Sequence, residues 1–258
     1  MTVLSIIIVS FNARADLERC LESLRAAAPA APHEIVVVDN GSTDGGVEAA
    51  RRWPNVQVIE AGANLGFARA NNIGIRASTG THILLLNSDT IVAPGSLDRL
   101  LAEFERDATV AVVGPRLVDG GGRAELSFGR MIGPLNELRQ KRLAQSRAVE
   151  TITRHRHYPD WVSGACLLVR RLDAEAVGGL DERYFMYTED VDFCAAIRAR
   201  RRRILFAPEV EIVHLRGRSA ASAPAATLEH YRRSQLAFYR KHHPAWAPFL
   251  QLYVKIFS

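Results

Sequence analysis

Ile35-Val36-Val37-Val38-Asp39-Asn40-Gly41-Ser42-Thr43-Asp44 is the stretch that decides the fold of this chain. Four consecutive β-branched residues form a short, continuous apolar run, the pattern of a strand buried on both faces of a parallel sheet. The run ends on a carboxylate, and Gly41 permits a tight turn behind it. A second run, Ile83-Leu84-Leu85-Leu86, leads into Asn87-Ser88-Asp89, and a third strand-like run, Tyr184-Phe185-Met186-Tyr187, leads into Thr188-Glu189-Asp190. In open α/β sheets ligands bind in the crevice outside the carboxyl ends of the strands, so carboxylates placed there face a ligand. Several of them can hold a divalent cation and keep one carboxylate as a base. The expectation is an enzyme acting on a phosphorylated nucleotide.

Outward from these runs the first half of the chain alternates strand and helix. Strands are expected at 3–9, 35–38, 56–59, 83–86 and 110–113, and helices at 16–27, 43–52, 68–78 and 96–104, with Ser96 as an N-cap. Such alternation implies βαβ units and a parallel sheet. From 117 to 159 the pattern lapses into a long loop with one helix near 135–144. Apolar order returns as a strand at 161–169, a helix at 191–201, strands at 204–206 and 210–215, and a helix at 228–242 that closes before Pro244. The reading is one α/β domain over 1–226, with a nucleotide half (1–116) and an acceptor half (117–226), followed by a helical tail over 227–258.

The chain has 258 residues and 48% apolar content, enough for a sizeable core. Net charge is +5, and seven Arg/Lys against two Glu crowd 130–156. Such runs favour phosphates or anionic lipid, but the sparse aromatics within them argue against nucleic acid. Cys20, Cys166 and Cys194 form neither a CxxC pair nor a disulfide framework, which fits a reducing, cytoplasmic compartment. The apolar stretch 245–257 would span about 20 Å as a helix, too short to cross a bilayer. Its basic and aromatic neighbours suit a peripheral contact at the inner face of a membrane, or a homodimer contact.

Individual residues sharpen the chemistry. Ser10 and Asn12 end the first strand, and Asp39 ends the second, where it can accept the imide N–H of uracil or thymine. Ser42 or Asp44 caps the next helix. Asn64, Gly66 and Arg69 sit where backbone N–H groups at a helix start can hold nucleotide phosphate or ribose. Asp89 offers one oxygen to a cation bridging two phosphates, with Asn87 and Ser88 on the nucleotide beside it, and His214 adds a nitrogen that favours manganese over magnesium. Arg218 and Ser219 belong to a loop over the phosphates. Asp190 starts a helix, and Glu189 is expected to raise its pKa by like-charge repulsion. Trp161 and Gly164 offer an apolar platform and a close approach for an acceptor sugar.

Taken in order, Val38-Asp39-Asn40-Gly41-Ser42-Thr43-Asp44, Asn64-Leu65-Gly66-Phe67, Leu85-Leu86-Asn87-Ser88-Asp89, Gly178-Gly179-Leu180-Asp181-Glu182-Arg183-Tyr184-Phe185, Thr188-Glu189-Asp190 and His214-x-x-Gly217-x-Ser219 resemble the family 2 glycosyltransferases, with rhamnosyltransferase-like members as the closest in appearance. The resemblance implies a GT-A (Rossmann-like) fold with a mixed, mainly parallel central sheet flanked by helices. It also implies a dTDP- or UDP-linked sugar donor, a glycan or polyprenyl-linked acceptor, a divalent cation (Mg2+ or Mn2+), and transfer with inversion. It makes Asp39 the base-recognition carboxylate, Asp89 and His214 the metal ligands, and Asp190 the general base. Asn87 stands where the family pattern has a first Asp. The competing readings are a sugar-phosphate nucleotidyltransferase, disfavoured by Ser10-Phe11-Asn12 in place of a Gly-rich basic loop, and a non-catalytic nucleotide- or glycan-binding protein. A dehydrogenase is disfavoured because the first strand-helix turn lacks G-x-G-x-x-G.

Overall fold

The computed structural model describes residues 2–215 and 224–256, so Arg218 and Ser219 lie outside the described residues. One eight-stranded sheet organises the chain, in the order β3 (Val56–Glu60), β2 (His33–Asp39), β1 (Leu4–Ser10), β4 (His82–Asn87), β9 (Cys166–Arg170), β6 (Val110–Val118), β10 (Arg203–His214), β5 (Thr90–Val92). Its first half is β1 (Leu4–Ser10), β2 (His33–Asp39), β3 (Val56–Glu60) and β4 (His82–Asn87), all parallel. The chain moves outward from β1 to β2 and β3, then returns to lay β4 on the other side of β1. The carboxyl ends of β1 and β4 therefore flank a topological switch point, with Val9 opposite Asn87 and Ser10 opposite Asp39.

The second half is mixed. β9 (Cys166–Arg170) runs antiparallel to both β4 and β6 (Val110–Val118), whereas β10 (Arg203–His214) runs parallel to β6. β5 (Thr90–Val92) pairs antiparallel with the end of β10, which sets His214 opposite Thr90. This edge strand was not legible, because three residues carry too little periodicity.

Side-chain alternation divides the sheet between two apolar layers. Ile6, Ile8, Leu84 and Leu86 face α1 (Arg14–Ala26) and α4 (Ser96–Arg106), while Ile7, Val36, Val38, Ile83 and Leu85 face α3 (Phe67–Ala77) and α8 (Glu189–Ala199). Leu4, Ile6, Ile7 and Ile8 are fully buried, each contributing about 1.5–3 kcal/mol of transfer free energy. The helix Pro224–His242 and the helix Ala247–Ile256 add a third cluster around Phe238 and Tyr239, which packs on Tyr184 and Val191.

Several expectations are corrected. The run 184–187 is not a strand: Tyr187 and Thr188 adopt left-handed backbone, φ +70° and +66°, which turns the chain sharply into α8. The expected strand at 161–169 is two strands, β8 (Trp161–Val162) and β9, broken by Ser163, Gly164 and Ala165. The strands at 204–206 and 210–215 are one strand, β10, bulged between Ala207 and Glu211 around Pro208. The long loop holds β7 (Phe128–Gly129), α5 (Pro134–Ala144) and α6 (Ala148–Ile152). Gly45 and Gly95, in left-handed backbone, are the N-caps of α2 (Gly46–Arg51) and α4, in place of Ser42, Asp44 and Ser96.

Gly74 shows how tightly α3 lies on the sheet. A Cβ there would overlap Ile7 Cγ2 and come within 3.2 Å of Val38 Cγ2. Alanine would gain up to about 1 kcal/mol of helix propensity but incur an overpacking cost of about 1–3 kcal/mol. Gly74→Ala should therefore lower stability in denaturant unfolding; a gain would mean that α3 can lift off β1 freely.

Candidate active site

Asp190 opens the site. It lies in the first turn of α8, and its carboxylate accepts the N–H of Gly164 through Oδ2 and of Val191 through Oδ1, both at 2.8 Å. Gly164 belongs to the break between β8 and β9, and a Cβ at that position would stand 3.3 Å from Asp190 Cβ. One residue on, Ala165 O accepts the N–H of Asn87 at 2.9 Å. The strand pairing of β4 with β9 thus ties the turn that holds Asp190 to the turn that carries Asp89.

Asp89 faces His214. The carboxylate Oδ1 lies 3.3 Å from Nε2, and on the other ring nitrogen Glu125 Oε2 lies 3.2 Å from Nδ1. Asn87 Nδ2 stands 3.3 Å from the same Nε2, to which it can donate only when that nitrogen carries no proton. Burial pushes the His214 pKa down, but hydrogen bonds and charge from Asp89 and Glu125 outweigh it and leave the ring raised to about 9. Glu125 was missed by sequence reasoning because it lies in the irregular stretch after β6, far from any motif. Among the described residues no group of three or more His, Cys, Asp or Glu is arranged to hold a metal. Two protein ligands, Asp89 and His214, still fit a cation that takes further oxygens from a diphosphate.

At the switch point Asp39 is buried, and its Oδ2 accepts the N–H groups of Gly41 and Ser42, both at 3.1 Å. Ser10 Oγ and Asn87 Oδ1, at the ends of β1 and β4, are buried with no hydrogen-bond partner among the described residues, as are Thr188 Oγ1 and Glu189 Oε2. Such atoms are rare in folded proteins, and a bound group that completes their bonding is one explanation for those at the site. Asn12 is differently employed: its Oδ1 accepts the N–H of Thr43 at 2.8 Å and its N–H donates to Ser42 Oγ at 3.0 Å, linking the first two strand-helix turns. Ser88, between Asn87 and Asp89, is half-buried.

The expected phosphate cradle at Asn64–Arg69 is a brace. The N–H groups of Leu65, Gly66 and Phe67 donate to Asn40 Oδ1, Asn64 Oδ1 and Phe185 O at 2.9, 3.2 and 2.6 Å. Gly66 has φ +84°, and any Cβ would overlap Phe185 O, so only glycine lets this loop meet the segment before Asp190. Arg69 turns to Glu182 at 3.7 Å. Trp161 is half-buried between two apolar clusters, with Nε1 donating to Arg130 O at 2.9 Å.

The two adjacent carboxylates of α8 divide their roles. Burial, opposed by the Gly164 and Val191 N–H groups, raises the Asp190 pKa. Burial and then repulsion from Asp190 drive Glu189 well above the ordinary carboxylate range. The repulsion expected to act on Asp190 is therefore felt by Glu189. Cys20 and Cys194 are buried thiols pushed up to about 12, with no nucleophilic character.

Residues 5–163 match the family described as glycosyl transferase family 2. The chain is 32% identical to the N-acetylglucosaminyl-diphospho-decaprenol L-rhamnosyltransferase of Mycobacterium tuberculosis (strain CDC 1551 / Oshkosh), over 95% of this chain and 86% of that protein. It is 29% identical to the low-salt glycan biosynthesis hexosyltransferase Agl10 of Haloferax volcanii, over 78% and 62%. Among solved structures, the mannosyltransferase PcManGT of Pyrobaculum calidifontis, in complex with GDP-Man and Mn2+, superposes with a TM-score of 0.65 at 21% identity, over 96% of this chain and 68% of that one. The fold is GT-A.

A carboxyl group whose folded pKa is raised stabilises the fold fully below its ordinary pKa, and that contribution is lost as pH rises through the folded value. Glu189→Gln, which stays neutral, should therefore lose less Tm than the parent between about pH 5 and about pH 8. Parallel melting curves for the two proteins would show that Glu189 holds its proton no more tightly in the folded chain than in the unfolded one.

Proposed function

The chain belongs to glycosyl transferase family 2 and is a nucleotide-sugar-dependent enzyme, and on that premise we propose that it transfers rhamnose or a related sugar, with inversion, to a lipid-linked glycan. The carrying observation is the Asn87 N–H to Ala165 O bond beside the Gly164 N–H to Asp190 Oδ2 bond. These two contacts hold the Asp89 turn and the Asp190 carboxylate in one frame, as a displacement needs when a leaving group departs at one end and a base works at the other.

Asp190 removes the proton of the acceptor hydroxyl as its oxygen bonds to the anomeric carbon and the bond to the diphosphate breaks. Two N–H groups orient the carboxylate, and burial raises its basicity. Asp89 and His214 Nε2 are the groups that would hold a divalent cation, magnesium or manganese, with Asn87 on the nucleotide beside them, and Glu125 orients the imidazole from behind. Such an ion, when bound, supplies neutralising charge for the departing diphosphate. Asp39 and Ser10, at the ends of β2 and β1, receive the nucleoside of a dTDP- or UDP-linked donor. Trp161 and Gly164 border the acceptor side.

The acceptor reading draws on the mycobacterial relative, whose name gives a decaprenol-linked acceptor. The chain's own support is its tail. No helix among the described residues is long and apolar enough to cross a membrane. The helix Ala247–Ile256 nevertheless exposes Phe249, Leu252 and Tyr253, and Trp246 is exposed just before it, while Ala247 and Leu250 pack inward. From His230 to Ser258 the sequence has five Lys/Arg and no Asp or Glu. An apolar face on an acid-free, basic segment is complementary to an anionic membrane surface, where a lipid-linked acceptor resides.

Asp190→Asn should abolish transfer from dTDP-rhamnose to an N-acetylglucosaminyl-diphospho-lipid while keeping the Tm rise produced by dTDP with Mn2+, because the base acts mainly in the transition state. Asp89→Ala should remove the metal-dependent part of that rise. Normal turnover in the first variant, or an intact metal response in the second, would strip that residue of its role.

Flotation with phosphatidylglycerol vesicles tests the tail. The parent protein should rise with the vesicles and the double variant Phe249→Glu, Leu252→Glu should stay behind. Equal flotation of both sinks the membrane contact, and a parent dimer that the variant dissolves without any flotation would assign the face to self-association.

A further inference from the structure

The segment from Asp181 to Asp190 that delivers the base is clamped along its length by the helix Pro224–His242, which lies outside the matched region 5–163. The His230 ring stacks on Phe185 at 4.4 Å, and Tyr231 meets Tyr187 edge-on at 6.0 Å. Ser234 Oγ donates to Met186 O at 2.7 Å. Further along the helix, Lys241 Nζ bridges Asp181 Oδ2 and Asp192 Oδ2, both at 2.8 Å. His242 Nε2 lies 2.6 Å from Asp192 Oδ1, and Tyr184 OH donates to that same oxygen at 3.2 Å.

Asp192 is the centre of this contact. Its side chain is 3% exposed, it sits two residues beyond Asp190, and its N–H donates to Thr188 O at 2.9 Å. Between its two ends the clamped segment holds Tyr187 and Thr188 in left-handed backbone. An aromatic and a β-branched residue take that conformation only where the surroundings over-determine it. The clamping helix is itself fixed on another side, where Glu137 of α5 accepts from Gln235 Nε2 and Tyr239 OH, both at 2.6 Å. The helix, anchored on α5, thus packs along the whole segment that carries this turn.

We propose that Asp192 and Lys241 are positioning residues for the transfer reaction: through their ion pair the Pro224–His242 helix keeps the Tyr187–Thr188 turn closed and Asp190 seated on Gly164. The proposal rests on the reading of Asp190 as the base, and it makes the helix after β10 part of the catalytic apparatus. Lys241 ties Asp181, at the start of the segment, to Asp192, at its end, so one ammonium closes the loop on itself. Arginine at 241 can span the same two carboxylates, whereas methionine keeps the stem and removes the charge.

The test uses the full chain with Lys241→Met, Lys241→Arg and Asp192→Asn. Amide hydrogen exchange at Gly164 and Val191, the two donors to Asp190, should quicken about tenfold or more in Lys241→Met and Asp192→Asn and stay near the parent rate in Lys241→Arg. Turnover of dTDP-rhamnose should fall about tenfold to a hundredfold in kcat in the first two, with donor KM and the dTDP–Mn2+ thermal shift unchanged. A lower Tm with parent-like exchange at Gly164 and Val191 and parent-like kcat would reduce the contact to plain stabilisation and overturn the proposal. Should Lys241→Met and Asp192→Asn fail to fold, Ser234→Ala, which releases only Met186 O, carries the same exchange readout with the same two outcomes. Asp190→Asn run alongside separates the premises: full turnover there removes the base, whereas the exchange result judges the clamp independently.

Discussion

The antiparallel register of β9 on β4 sets Leu86 opposite Cys166 and brings Ala165 O to Asn87 N, and the functional end of the sheet hangs on that alignment. Apolar patterning alone cannot fix it. Leu84, Leu85 and Leu86, like Leu167, Leu168 and Val169, are apolar on both faces, so a slip would exchange one buried leucine for another. The register is pinned at the far end by two arginines. Arg171 donates to Gly80 O, to Ile75 O at 3.2 Å and to Ser78 Oγ at 2.9 Å, and Arg170 donates to Val110 O at 3.0 Å and Phe104 O at 2.7 Å. Both guanidinium groups reach carbonyls that other strands and helices leave at their ends. Polar contacts at one edge of the sheet thereby set the distance between two carboxylate-bearing turns at the other.

That dependence explains which parts of the chain were legible. β1, β2 and β4 announce themselves because strands buried on both faces must be continuous apolar runs, and the helices between them follow from turn residues and spacing. The strand-like 184–187 run misled because its aromatics are held by contacts remote in sequence: Tyr184 is buried by Asp192 and the third apolar cluster, and half-buried Phe185 packs on Gly66 and His230. A local pattern cannot separate such a loop from a strand when both place aromatics against the rest of the fold. The break at Ser163, Gly164 and Ala165 was hidden for the converse reason, since three small residues between apolar neighbours do not interrupt periodicity.

Motif residues were legible as a set, but their packing partners were not. Asn64 accepts from Asn40 Nδ2 and the Gly66 N–H, the Phe67 N–H donates to Phe185 O, and Arg69 pairs with Glu182. Asn72 does the same, accepting the N–H of Leu180 through Oδ1 at 3.0 Å and donating through Nδ2 to Leu180 O at 2.8 Å. The ordered motifs are thus specific partly because each is the packing partner of another, and a ligand-contact reading of any one of them overlooks this. Glu125, by contrast, belongs to no motif, and only the fold places it behind His214.

The carboxylates around the site illustrate what the fold adds to residue type. Asp89 and Glu125 share one imidazole, and their combined field overcomes the desolvation that would otherwise keep it neutral. Asp190 and Glu189 are neighbours in sequence, yet Asp190 receives two backbone N–H groups, whereas Glu189 Oε2 has no partner among the described residues. The carboxylate with donors is the more readily ionised of the two, and its charge pushes up the pKa of the one without them. Gly164 supplies one of those donors, so the backbone break between β8 and β9 is what separates the two acids electrostatically. A side chain at 164 would crowd Asp190 Cβ, so the position that donates the hydrogen bond is also the one that must remain small. The raised pKa values of Asp190 and Glu189 are therefore set by one local geometry, which the register of β9 on β4 holds in place.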